Sequence, residues 1–139
     1  MARRDTDLLA RVPIFTGLSK RHLRGIAGIS RERRFKEKET VAEEGKPGDD
    51  FYVILGGQAK VVQRGRTIAT LFPGDFFGEI ALLDGGPRSA SVIAETPLET
   101  MTLNRKPFHS MLQRDPSIVL KMLEEVAGRL RNVERSLTG

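Results

Sequence analysis

Apolar and polar positions follow three successive rhythms along the 139 residues of the chain. From about Leu8 to Phe15, and again from Ser19 to Ile29, apolar residues recur at helical spacing, and Ser19 stands where a hydroxyl caps a helix start. Short apolar runs follow at Thr40–Ala42, Phe51–Leu55, Ala59–Gln63, Thr67–Phe72, Ser89–Ala94 and Leu98–Leu103. Gly45, Gly48, Gly56, Gly57, Gly65, Pro73, Gly74 and Pro97 separate them, punctuation that predicts a mainly β, jelly-roll-like barrel with flanking helices. A helix is then expected over about Lys106 to Arg114, ended by Asp115 and Pro116, with a longer one starting at that proline. The expected organisation is one domain: a helical lead-in over 1–34, the β region over 35–104 and carboxy-terminal helices over 105–139.

The last helix carries a signal of its own. Val119, Leu123, Val126, Leu130, Val133 and Leu137 fall at alternating steps of four and three, the apolar seam of a short coiled coil. Such a seam either covers the chain's own barrel or pairs with a second copy. About three heptads exceed what one small barrel needs, so a homodimer is expected.

Composition narrows the classes without choosing among them. The chain is 39% hydrophobic and 29% charged, ordinary for a globular domain with a real core. Zero cysteines exclude disulfides, thiolate metal sites and thiol nucleophiles. No apolar stretch reaches the roughly 18 residues of a membrane span, and the start, MARRDTDLLARV, lacks the apolar core of a secretion signal, so a cytoplasmic protein with no membrane partner is expected. Much of the +5 net charge comes from Arg3, Arg4, Arg11, Lys20, Arg21, Arg24, Arg31, Arg33 and Arg34. These interleave with Leu8, Leu9, Leu23 and Ile26 and read as a solvated helix face. With no helix-turn-helix, aromatic stacking set or zinc motif beside them, direct nucleic-acid binding is not expected.

The chemistry concentrates in Phe77 to Val92, FGEIALLDGGPRSASV. Gly78 lets backbone approach a ligand closely, and Ile80 to Leu83 can form one helical turn whose first amides suit an anion. Asp84, Gly85, Gly86 and Pro87 stop that turn and return the chain to a strand near Arg88. The Arg88 guanidinium can fork onto two phosphate oxygens, with the Ser89 hydroxyl beside it. Glu79 would be misplaced beside a phosphate unless the ligand also offers a ribose hydroxyl, and a cyclic 3′,5′-phosphate leaves the 2′-hydroxyl free. Singly, Gly78 is more often a turn glycine, Glu79 and Arg88 a surface ion pair and Ser89 an ordinary strand residue; the ordered set points to a cyclic-nucleotide pocket.

The ordered set closely resembles the phosphate-binding cassette of the cyclic nucleotide-binding domain family, F-G-E-[LI]-A-L-L, a short turn, then P-R-[AST]-A, and matches it at every position. Glu44, Gly45, Phe51 to Leu55, Gly57, Val61 and Val62 resemble the family's first hairpins, and Pro13, Ile14, Phe15, Leu18, Ser19 and Leu23 its helical lead-in. The resemblance covers about residues 8 to 135. It implies a β-roll resembling the effector domain of cyclic-AMP receptor protein-like regulators, with Gly78, Glu79, Ile80, Ala81, Arg88, Ser89 and Ala90 on the ligand. It also implies a long helix that dimerises and closes over the base. Relatives that regulate transcription carry a DNA-binding domain after that helix, about where this sequence reaches Gly139, so a sensor without its own output domain, signalling through a downstream protein partner, is expected.

Base selection departs from the resembling receptors. Where they place adjacent Thr and Ser against adenine, this chain has Val133 and Glu134, leaving Arg131, Asn132 and Glu134 as candidate base contacts. Ser89 fits cyclic AMP and also guanine in its syn form; cyclic AMP is favoured, with cyclic GMP open. No cofactor or metal is expected beyond that ligand. His22 and His109 lack a clustered carboxylate or nucleophile, so catalysis is not expected. The competing reading is a ligand-free β-roll acting as a dimeric interaction module, which would ordinarily lack Glu79 or Arg88.

Overall fold

The structure, a computed structural model, describes residues 3–138; Met1, Ala2 and Gly139 lie outside the described residues. The chain divides into two compact units: a helical unit, up to Gly28 and from His109 onward, and a β-roll unit, Ile29–Phe108.

The helical unit begins with α1 (Arg3–Ala10), a 3-10 turn at Pro13–Phe15 and α2 (Lys20–Ile29). A helix continuous from Leu8 to Phe15 is expected from the apolar spacing, but Pro13 divides it. The residue before a proline is pushed out of the α region, and Val12 sits at φ −72°, ψ 125°. Ser19 caps α2 as expected, its Oγ accepting from the His22 N–H at 3.2 Å. After α4 (Arg105–Arg114), Pro116 opens α5, which runs to Thr138. Ile118 and Met122 of α5 are buried, and the helix packs on the Pro13–Phe15 turn.

Eight strands form the β-roll: β1 (Arg31–Phe35), β2 (Thr40–Ala42), β3 (Asp50–Gly56), β4 (Ala59–Gln63), β5 (Arg66–Leu71), β6 (Phe76–Phe77), β7 (Ser91–Ala94) and β8 (Leu98–Asn104). They make two four-stranded antiparallel sheets, ordered β1-β8-β3-β6 and β2-β7-β4-β5. Between them lies a core of Phe35, Ala42, Tyr52, Ile54, Ala59, Val92, Ala94 and Leu98. Truncating a fully buried member such as Ile54 to alanine would cost about 2–5 kcal/mol. The architecture is the expected mainly β roll with flanking helices.

One strand replaces expected helix. Arg31, Arg33 and Arg34 belong to β1, paired to β8, not to a basic helix face. Four of the five β1 residues are exposed at this sheet edge, so only Phe35 supplies the apolar signal that marks a strand.

Candidate functional site

The site is built where two loops pair. The Arg88 N–H donates to Lys46 O (2.9 Å), the Gly45 N–H to Arg88 O (2.8 Å) and the Gly48 N–H to Gly86 O (3.2 Å). These bonds hold Arg88 ahead of β7, which starts at Ser91 rather than at the expected Ser89, because the Arg88 backbone is paired to the Gly45–Gly48 loop and not to the sheet. Upstream, β6 pairs with Tyr52 and Val53 of β3, so the chain leaves the sheet at Gly78. Gly78 takes the left-handed conformation (φ 89°) and opens α3 (Glu79–Asp84); Gly85, also left-handed, closes it with its N–H on Ala81 O. Neither conformation suits a residue with a Cβ.

The Arg88 side chain runs between two glycines. A Cβ on Gly48 would overlap its Nε and Cζ, and one on Gly78 would overlap its Nη1. Nη2 donates to the Asp50 carbonyl oxygen at 2.5 Å. Nη1 is buried and has no hydrogen-bond partner. A buried donor left unmade costs about 1–3 kcal/mol, so its retention beside a cavity marks a place for an acceptor from outside the chain.

Asp50 anchors this end of the β-roll. Its carboxylate accepts from Asn104 Nδ2 (2.9 Å) and Tyr52 Oη (3.4 Å) and pairs with Arg33 Nη1 (3.5 Å). Tyr52 stacks on Phe77 with ring centroids 4.7 Å apart. Burial, with the Asp50 charge next, pushes the Tyr52 phenol up from its ordinary value, so it stays a donor at neutral pH.

A cavity of about 400 Å3 lies against this arrangement and is formed wholly by β-roll residues. All seven ligand positions expected from the sequence line it: Gly78, Glu79, Ile80, Ala81, Arg88, Ser89 and Ala90. Ala42, Val61, Leu71 and Val92 add an apolar share to its lining. The volume is that of a small-molecule site, about 300–1,000 Å3. The lining suits a ligand with an anionic end at Arg88 and a flat apolar end along the strands. Ala81 is buried, whereas Ile80 is 64% exposed. Ser89 is exposed, and its carbonyl oxygen accepts from Gln63 Nε2.

Gly48 and Asp50 are the residues that sequence reasoning missed. Gly48 looked like turn punctuation, yet its φ is not positive: it is glycine for space. The expected base contacts Arg131, Asn132 and Glu134 are exposed on α5, in the helical unit. Along the same helix Val119 and Val126 are half-buried, whereas Leu123 (59%), Leu130 (60%), Val133 (56%) and Leu137 (81%) are exposed. Among the described residues no helix is long and apolar enough to cross a membrane, and no group of three His, Asp or Glu could hold a metal ion.

A profile of the cyclic nucleotide-binding domain matches residues 32–115, from within β1 through all later strands and the cavity. The chain belongs to that family. It is 31% identical over 136 residues, 94% of its length, to the CRP-like cAMP-activated global transcriptional regulator of Mycobacterium tuberculosis, covering 61% of that protein. The chain thus spans about three-fifths of that relative's length. It is 37% identical over 106 residues to a cAMP-dependent protein kinase regulatory subunit of Yarrowia lipolytica, covering 75% of this chain and 28% of that one. Among solved structures, the N-terminal domain of a transcriptional regulator from Streptomyces coelicolor A3(2) superposes with a TM-score of 0.85 at 29% identity, covering 95% of both chains. These relatives are regulators.

Proposed function

We propose that this cyclic nucleotide-binding domain binds cyclic AMP in the β-roll cavity and serves as a regulatory sensor. The observation that carries the reading is the Arg88 guanidinium, fixed through Nη2 on Asp50 while Nη1 is buried without a partner at the polar end of the cavity. A cyclic phosphate supplies the missing acceptor, and its charge explains a cation placed there. Glu79 accepts the ribose 2′-hydroxyl, Gly78 and Ala81 frame the phosphate, and Val61 and Leu71 give the purine an apolar wall. The relatives named for cAMP activation and cAMP dependence support adenine as the base.

Binding is the whole of the proposed chemistry. One guanidinium fork and one carboxylate on a ribose hydroxyl provide no activated water, so the nucleotide is released unchanged. Its bound state orders the turn from Ala81 to Gly86, and a partner that prefers the ordered turn reads the signal. Dimerisation through α5 accompanies this reading: the exposed Leu123, Leu130, Val133 and Leu137 form a stripe that a second copy can cover.

Calorimetry with cyclic AMP, cyclic GMP and 5′-AMP tests the function. Cyclic AMP is expected to bind best, with cyclic GMP weaker by a factor nearer ten than a thousand, since phosphate and ribose contacts are common to both and one base-edge hydrogen bond contributes about 0.5–1.5 kcal/mol. Absence of binding by either cyclic nucleotide would contradict the reading.

A further inference from the structure

A second cavity, of about 500 Å3, lies on the sheet β1-β8-β3 and is lined chiefly by Arg31, Arg33, Asp50, Thr102 and Asn104. Its position follows from strand register. Phe35 faces Leu98, Arg33 faces Thr100 and Arg31 faces Thr102, while on the other side of β8 Thr100 faces Ile54, Thr102 faces Tyr52 and Asn104 faces Asp50. Cross-strand partners and residues two apart share a face. The face that is core at Phe35, Leu98 and Ile54 therefore turns polar toward Arg31 and Asn104.

The polar groups are arranged rather than scattered. Thr100, fully buried, donates its hydroxyl to Arg33 O (3.0 Å), so the Thr102 hydroxyl donates to Thr100 (2.9 Å), and both are committed to holding the strands. The Asp50 carboxylate is occupied by Asn104, Tyr52 and Arg33. Arg33 is fixed twice, by that carboxylate and by Phe35, whose ring centroid lies 5.0 Å from its Cζ. Two guanidinium groups against one carboxylate leave the lining with a surplus positive charge.

We infer that this cavity is a second ligand site, for a small oxyanion bearing a carboxylate or phosphate, held by Arg31 and by the N–H groups of Arg33 that Asp50 does not engage. Planar guanidinium forks match either group, and the volume suits a small molecule and not a bare halide. The inference does not depend on the cyclic-nucleotide reading, because Arg88 lines the other cavity.

The test uses the 15N-labelled Arg88→Ala protein, so that phosphate cannot be taken up beside Arg88, titrated separately with sodium phosphate, sodium citrate and, at matched ionic strength, sodium chloride. The backbone amide shifts of Arg31, Arg33, Thr102 and Asn104 are followed. Saturating shifts at millimolar phosphate or citrate but not chloride are expected, and the more effective anion identifies the class. Arg31→Gln should weaken that binding at least fivefold and Arg31→Lys by less; Arg31 is exposed, so neither change threatens the fold. Equal responses to all three salts, no saturation, or an unchanged affinity in Arg31→Gln would overturn the site.

Discussion

The guanidinium of Arg88 fills the space that a side chain on Gly48 would need, with Nε and Cζ where the new Cβ would stand. Since Gly48 does not have a positive φ, alanine is compatible with its backbone, and what must yield is the arginine. Gly48→Ala is therefore expected to leave the melting temperature nearly unchanged while lowering cyclic AMP affinity at least tenfold. Gly78→Ala should lower both, because at φ 89° a Cβ adds about 1–2 kcal/mol of backbone strain. Thermal denaturation beside calorimetry separates the two; a Gly48→Ala protein of undiminished affinity would show that Arg88 need not lie where it does.

Glu79 lines the cavity, and its proposed partner is the ribose 2′-hydroxyl. Glu79→Ala should weaken cyclic AMP by about 1–3 kcal/mol, less than loss of Arg88, as for one hydrogen bond to a charged group. A 2′-deoxy ligand should bind the wild type more weakly but lose little further in the mutant. Additive losses from the two changes would place the Glu79 contact elsewhere on the ligand.

Leu130 is 60% exposed near the centre of the α5 stripe, so Leu130→Glu should leave the monomer folded and shift a dimer toward monomer by burying an unpaired charge in the contact. Light scattering at tens of micromolar measures this. A wild type that is monomeric with and without nucleotide would refute the α5 dimer.

Asp115, between α4 and α5, accepts from Ser117 Oγ and faces His22 Nε2 at 3.3 Å and Arg21 Nη2 at 3.8 Å, so His22, expected to stand without a carboxylate neighbour, has one that is distant in sequence. The Ser117 hydrogen bond first, and the His22 and Arg21 charges after it, hold its carboxyl below the ordinary value. A carboxyl depressed in the folded state contributes stability above its unfolded pKa of about 3.9 and loses it as pH falls through the lower folded value. The wild type should accordingly lose melting temperature below about pH 4 more steeply than Asp115→Asn. Parallel acid profiles would dissociate Asp115 from that loss.

The β-roll was legible in the sequence because most of its strands are short apolar runs and glycine or proline marks most turns; the β4 range matches the expected Ala59–Gln63. β1 was hidden by its exposure, since Arg31 to Arg34 carry no apolar signal and only pairing with β8 makes them a strand. β6 is two residues long, too short for any period to register. The cassette was legible because its residues are contiguous, and the seven ligand positions it implies line one cavity. Gly48 and Asp50 were not, because their relation to Arg88 crosses about forty residues of chain, and a glycine kept for room reads like a glycine kept for a turn.

The central claim is that Arg88 binds the cyclic phosphate, and the most direct measurement is the cyclic AMP affinity of wild type and Arg88→Ala side by side, with circular dichroism confirming that both are folded. Removing one partner of a buried charge pair costs about 2–5 kcal/mol, so the mutant should bind tens to thousands of times more weakly. Equal affinities would contradict the account.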